Sequence, residues 1–153
     1  MCSIGWIKLE KSWLLFKNRD RHSTEPKQNY FFQDSKVFGF GEKRFDGFWF
    51  GANYEGLGIA AAYGPVNNEL KDPNSECFWL IEKTLRKHHR PKEAAEFFIE
   101  IGENLKKSFN ILIAKHKKAV ELELFDGEHS TKTHKDRAFK TNHFTMMDSL
   151  NLE

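Results

Sequence analysis

MCSIGWIKLEKSWLLFKNRD (residues 1–20) opens the chain, and the way it is read decides the rest. Residues 2–8 and 12–17 are apolar and β-prone, and the Leu9-Glu10-Lys11 stretch between them makes the pair a hairpin. Cys2 therefore opens the first strand, and Lys17-Asn18-Arg19-Asp20 ends the strand that pairs with it. A cysteine directly behind the initiator Met becomes residue one when Met1 is trimmed, so thiol and α-amine then belong to one residue. Their reference pKa values, about 8.5 and about 7.7–8.0, are close enough for proton exchange at neutral pH. This is the N-terminal-amine way of activating a nucleophile. Most single cysteines are small buried hydrophobes, so Cys2 needs companions before the pattern carries chemistry.

Working outward, the run NRDRHSTEPKQ (18–28) is polar, contains a proline and reads as a loop. Short strands are expected at 29–32 and 36–40. Five glycines in FDGFWFGANYEGLGIAAAYG (45–64) punctuate two more, 48–50 and 57–62, around a turn at 52–56. Ser75 is placed to cap a helix with Phe78, Ile81 and Leu85 on its inward face. Pro91 is placed in the first turn of a second helix, whose stripe comprises Ala94, Phe97 or Phe98, Ile101 and Leu105. Strands return at 110–115 and 119–125, where Val120, Leu122 and Leu124 share one face with charges between them. A hairpin through His116-Lys117-Lys118 connects the two. One further short strand is expected around 138–144. Strands, two helices, then strands again describe an α+β domain of helices on a sheet.

The 153 residues fit one domain spanning 1–153. Against 22 acidic residues stand 24 Lys and Arg, a balance that gives no argument for a nucleic-acid partner. The basic stretch KTLRKHHRPK (83–92) reads as a helix end, where cations complement the dipole. Two cysteines, Cys2 and Cys77, without metal-ligand spacing, suit a reducing compartment, and Cys77 reads as core. Neither a signal-peptide core nor an apolar run of membrane-spanning length occurs, so a cytoplasmic protein off the membrane is expected. The seven histidines lack the spacing of a metal site, and neither metal nor cofactor is expected. Fifteen Phe imply a Phe-rich core or pocket, with Phe48, Trp49 and Phe50 as candidates for an acyl pocket. Strict alternation sets Trp49 on the face opposite its two neighbours.

The ordered set of MCSI, FKNRD (16–20), GANYEGLGIA (51–60), a helix pair, the NILIAK…AVELE hairpin and KTNHF (140–144) resembles the N-terminal-nucleophile (Ntn) hydrolases. The cysteine branch, which includes acyl-CoA:6-aminopenicillanic acid acyltransferase and the bile-salt and penicillin V hydrolases, is the most similar. The opening also resembles the NRDE group of Ntn-like proteins. The resemblance implies an αββα sandwich, here compact or C-terminally truncated, since members of the branch continue well beyond the TN motif. It implies that Cys2 is the nucleophile and its α-amine the base, that Asp20 orients the pair, and that Asn53 and Asn142 hold the oxyanion. The family's arginine falls at Lys17, with Arg19 the nearest actual arginine, and the cationic role stays open between them. The implied reaction is cleavage or transfer at a linear C–N amide of a small-molecule amide or acyl substrate. A missing outer strand would expose a sheet edge and favour a homo-oligomer. The rival reading is an Ntn-fold binding or structural module without turnover.

Overall fold

The computed structural model of the chain describes residues 2–19, 29–42, 47–63, 76–102, 108–125 and 127–141. Its elements are β1 (Cys2–Lys8), β2 (Trp13–Arg19), β3 (Asn29–Gln33), β4 (Val37–Glu42), β5 (Phe50–Asn53), β6 (Gly58–Tyr63), α1 (Glu76–Lys87), α2 (Pro91–Gly102), β7 (Ser108–Lys115), β8 (Lys118–Phe125), β9 (Glu128–His134) and β10 (Arg137–Lys140). The strands form a seven-stranded sheet in the order β3-β4-β5-β6-β7-β8-β9 and a three-stranded sheet in the order β10-β1-β2. Neighbours in both are antiparallel.

The period of two along β6, β7 and β8 sorts their side chains onto two buried faces. Ile59, Ala61, Phe109, Ile111, Ile113, Val120, Leu122 and Leu124 form one face, against Leu80, Ile81 and Leu85 of α1 and Ala94, Phe97 and Phe98 of α2. The opposite face offers Ala60, Ala62 and Leu112 to Cys2, Ile4 and Ala138, and Ala114 and Ala119 to Trp6. Small side chains on the large sheet thus let the small one approach closely. At Gly58 even a methyl group would be too much, for a Cβ there would stand 2.6 Å from the Trp13 ring and 2.9 Å from Leu15.

The α+β class follows, mostly sheet with two helices. Helices and the small sheet lie on opposite faces of the large sheet, while the outward face of the small sheet exposes Ile7, Leu14 and Phe139. No described helix is long and apolar enough to cross a membrane.

Several boundaries differ from the sequence expectation. β2 runs on through Asn18 and Arg19, because its ladder with β1 continues to Cys2↔Arg19. The strand expected at 48–50 is β5 at Phe50–Asn53, and its turn is confined to residues 54–56, where Gly56 has φ 81°. β9 was not expected. Its sequence EHSTKTH alternates only among polar residues, because it is the edge strand of the large sheet and buries little. Between β3 and β4, Asp34 Oδ1 accepts from the backbone N–H of Lys36 (2.7 Å) and Val37 (2.9 Å), while its Oδ2 pairs with Arg86 of α1 at 2.6 Å. Those donors hold the Asp34 carboxyl down at about 2. The Ser75 cap and the side chains of Cys77 and Phe78 lie outside the described residues.

Candidate active site

Cys2 is 9% exposed and sits in the layer between the sheets, packed with Ile4, Ala60, Ala62, Leu112 and Ala138. Antiparallel partners share a face, so the ladder fixes what accompanies it. Ile4, two residues on and on the same face as Cys2, is opposite Lys17 on β2 and opposite Lys140 on β10. Arg19 is opposite Cys2 itself. Lys17 is therefore a diagonal neighbour of Cys2 on the inner face. Its Nζ donates to the Ala61 carbonyl of β6 and lies 5.5 Å from the centroid of the Trp49 ring. The long stem carries the ammonium across the sheet interface, where a carbonyl and an aromatic face receive it. Asp20 follows the end of β2 directly and Asn142 follows β10 by two residues; both lie outside the described residues, as does the side chain of Arg19.

Asn53 does not join this group. It is buried, but its side-chain N–H groups donate to the carbonyls of Leu85 (2.8 Å) and His88 (2.9 Å), and its Oδ1 accepts from the N–H of Leu57 (2.9 Å). Paired with Val37, it faces the helices, whereas Cys2 packs on the other side of the same sheet. The expectation that Asn53 holds an oxyanion beside Cys2 is thus corrected. Both donors are committed to carbonyls at the end of α1, which every helix C-terminus must satisfy somehow.

The aromatic run also resolves differently from strict alternation. Trp49 precedes β5, so the strand period does not govern it. Phe48 is fully buried on the helix side and stacks with Phe32 at 5.6 Å. Phe50 packs against the Cys2 cluster, and Trp49 lies 6.5 Å from it and 6.2 Å from Phe40. Phe31 continues the series 5.1 Å beyond Phe40. Trp49 and Phe50 thus belong to the Cys2 side and Phe48 does not.

A second polar group in the same layer was not anticipated. Lys140 is 3% exposed, and its Nζ pairs with Glu123 and, at 3.1 Å, with Glu121 Oε1. Glu121 Oε2 meets His134 Nε2 at 2.6 Å, and Asn110 Nδ2 donates to the Thr141 carbonyl at 2.8 Å. The signal was in AVELELF (119–125): with both faces of β8 covered, the alternating glutamates are interior groups and require buried partners.

Chemically, the end of the small sheet presents a thiol, a neighbouring ammonium and an apolar wall, in a layer shielded from solvent. The family model for acyl-coenzyme A:6-aminopenicillanic acid acyl-transferase matches residues 7–153. No curated protein matches the chain by sequence. Among solved structures, the Caenorhabditis elegans ortholog of N-acylethanolamine-hydrolyzing acid amidase aligns with a TM-score of 0.70 and 14% identity, over 99% of this chain and 74% of that one. A variant of the conjugated bile acid hydrolase from Clostridium perfringens aligns with a TM-score of 0.59 and 17% identity, over 88% of this chain and 51% of the hydrolase. This chain thus spans about three quarters of the first and half of the second.

Proposed function

The chain belongs to the acyl-coenzyme A:6-aminopenicillanic acid acyl-transferase family of Ntn hydrolases, and on that premise we propose that it is a cysteine amidohydrolase or acyltransferase acting through Cys2. The observation that carries the proposal is the position of Cys2, first residue of β1, inside the sheet interface with Lys17 on the same face. Removal of Met1 frees the α-amine. The amine takes the thiol proton, the thiolate attacks the acyl carbon of a linear amide, and the C–N bond breaks as the amine returns that proton to the leaving nitrogen. Water or an acceptor amine then releases the acyl group. Asp20 orients the α-amine and thiol. The amide of Asn142 and a cation, Lys17 or Arg19, stabilise the developing oxyanion. Phe50 and Trp49, continuous with the Cys2 cluster, form the wall against which the acyl group rests. We place the protein in the cytoplasm, where the thiol stays reduced.

The test is an acylation trap. Mature protein is incubated with a panel of amides and activated esters and read by intact mass, beside Cys2→Ala. One acyl adduct on the wild type and none on Cys2→Ala is the expected result; an adduct that persists in Cys2→Ala, or a mature chain retaining Met1, overturns the mechanism. The burial of Cys2 favours a second reading, a binding module without turnover, and a Cys2 that stays unacylated across the panel would support it.

A further inference from the structure

Two lysines flank β1 in a single cross-strand row. Ile4 of β1 is opposite Lys17 on one side and Lys140 on the other. Directly opposed residues share a face, so both lysines project from the small sheet towards the large one. Both reach it. Lys17 donates to the Ala61 carbonyl on β6, and Lys140 is held by Glu121 and Glu123 on β8. The row lies two residues from Cys2. Asn110 of β7, directly opposite Glu123 in the large sheet, donates to the Thr141 carbonyl and fastens the chain just past β10.

We propose that Lys140 is a positioning residue: with Lys17 it clamps the Cys2 end of the small sheet onto the large sheet and so fixes where the thiol stands. The proposal rests on the reading of Cys2 as the nucleophile. Its argument is the energetics of buried ions. Desolvating two carboxylates and an ammonium costs about what their attraction returns, so apolar groups of similar volume would hold the sheets at least as well. What an apolar layer would lack is register. Charge-assisted hydrogen bonds have short, directed geometries, whereas apolar contacts slide. Of the five other buried residues clustered with Cys2, three are alanines, and Ala60, Ala62 and Ala138 offer few interlocking side chains beside Ile4 and Leu112. A thiol whose attack depends on near-attack distances suffers from a displacement of about 1 Å. Lys140 itself need not touch substrate. It acts through β1, and also through Thr141, the residue preceding Asn142.

The experiment compares Lys140→Met with the charge-free triple variant Glu121→Gln/Glu123→Gln/Lys140→Met. Lys140→Met leaves two carboxylates uncompensated and is expected to unfold at lower temperature. The triple variant is expected to regain most of the lost Tm, yet to keep kcat for p-nitrophenyl butyrate at least tenfold below wild type, with KM within about twofold, because orientation and not affinity is lost. Hydrogen exchange at the Ser3–Gly5 amides of the triple variant is expected to rise at least tenfold, while exchange at Ile111–Ile113 stays as in wild type. Recovery of kcat together with Tm in the triple variant would overturn the proposal, since the network would then be only structural. Unchanged exchange at Ser3–Gly5 would also overturn it. A wild type that forms no acyl-enzyme with the ester defeats the Cys2 reading instead, and the exchange measurement then decides the clamp by itself.

Discussion

Asn53 shows at the level of one side chain how a motif and its use can part. Its three hydrogen bonds, two to the end of α1 and one to the Leu57 N–H, fill its amide from both ends. Asn53→Ala leaves buried carbonyls and a buried N–H unsatisfied, at about 1–3 kcal/mol each before relaxation. The expected net loss is about 3 kcal/mol, or roughly 6–12 °C in Tm for a domain of this size, measured by thermal unfolding. The same variant, assayed below its transition, should acylate at Cys2 at a rate within about threefold of wild type; a loss of about a hundredfold would return Asn53 to the oxyanion role. Beside it, His88 carries a pH dependence. Burial lowers the His88 pKa, and the neighbouring Lys87 and His89 charges lower it further against a smaller opposing effect of Glu93. A folded-state pKa below the unfolded one means that the unfolded chain binds the proton more readily. Stability from this group is therefore whole above the unfolded value of about 6.5 and is lost as pH falls from there through the folded value. Between pH 7.5 and 5, wild-type Tm should fall further than that of His88→Gln, a comparison scanning calorimetry makes directly.

At the scale of elements, the contact of β2 on β6 depends on one missing side chain. Gly58 lies under Trp13 and Leu15, and any Cβ there would sit closer to the Trp13 ring than ordinary contacts allow. Gly58→Val should lift β2 from the large sheet, costing about 1–3 kcal/mol as overpacking does, seen in urea unfolding and in a shifted Trp emission. The helices and the strands with apolar alternation were legible from the sequence, because burial imprints a period. α2 begins at Pro91 as its proline requires, and Val120, Leu122 and Leu124 do share the helix-facing side of β8. What stayed illegible has a common physical cause. β9 is held by backbone hydrogen bonds to β8 and buries almost nothing, so it leaves no apolar trace. Glu121 and Glu123 look like solvated residues until the second sheet is known to cover them. Of the site, the pairing of the Cys2 strand with the KNRD strand could be read directly, since a hairpin is local. The facing of Asn53 could not, because it depends on which side of the large sheet the helices choose.

Across the whole molecule, the two sheets divide the chain unequally in time as well as in space. Every neighbour pair in the large sheet joins consecutive strands, with the two helices inserted between β6 and β7, but the small sheet pairs β1 with β10, the first described strand with the last. Closing so long a loop must precede the contacts that reward it, and distant pairings form slowly. The large sheet and its helices have the means to fold before β10 arrives. On refolding from urea, Cys2 should remain open to a thiol reagent after the signal from the α1 and α2 helices has recovered, and become protected in a later, slower phase; protection that tracks the helical signal would contradict this order. Cys2 opens the first described strand, yet its surroundings are finished only by nearly the last residues described. The packing around that thiol is therefore the last part of the fold to assemble, and it depends on a strand far away in sequence.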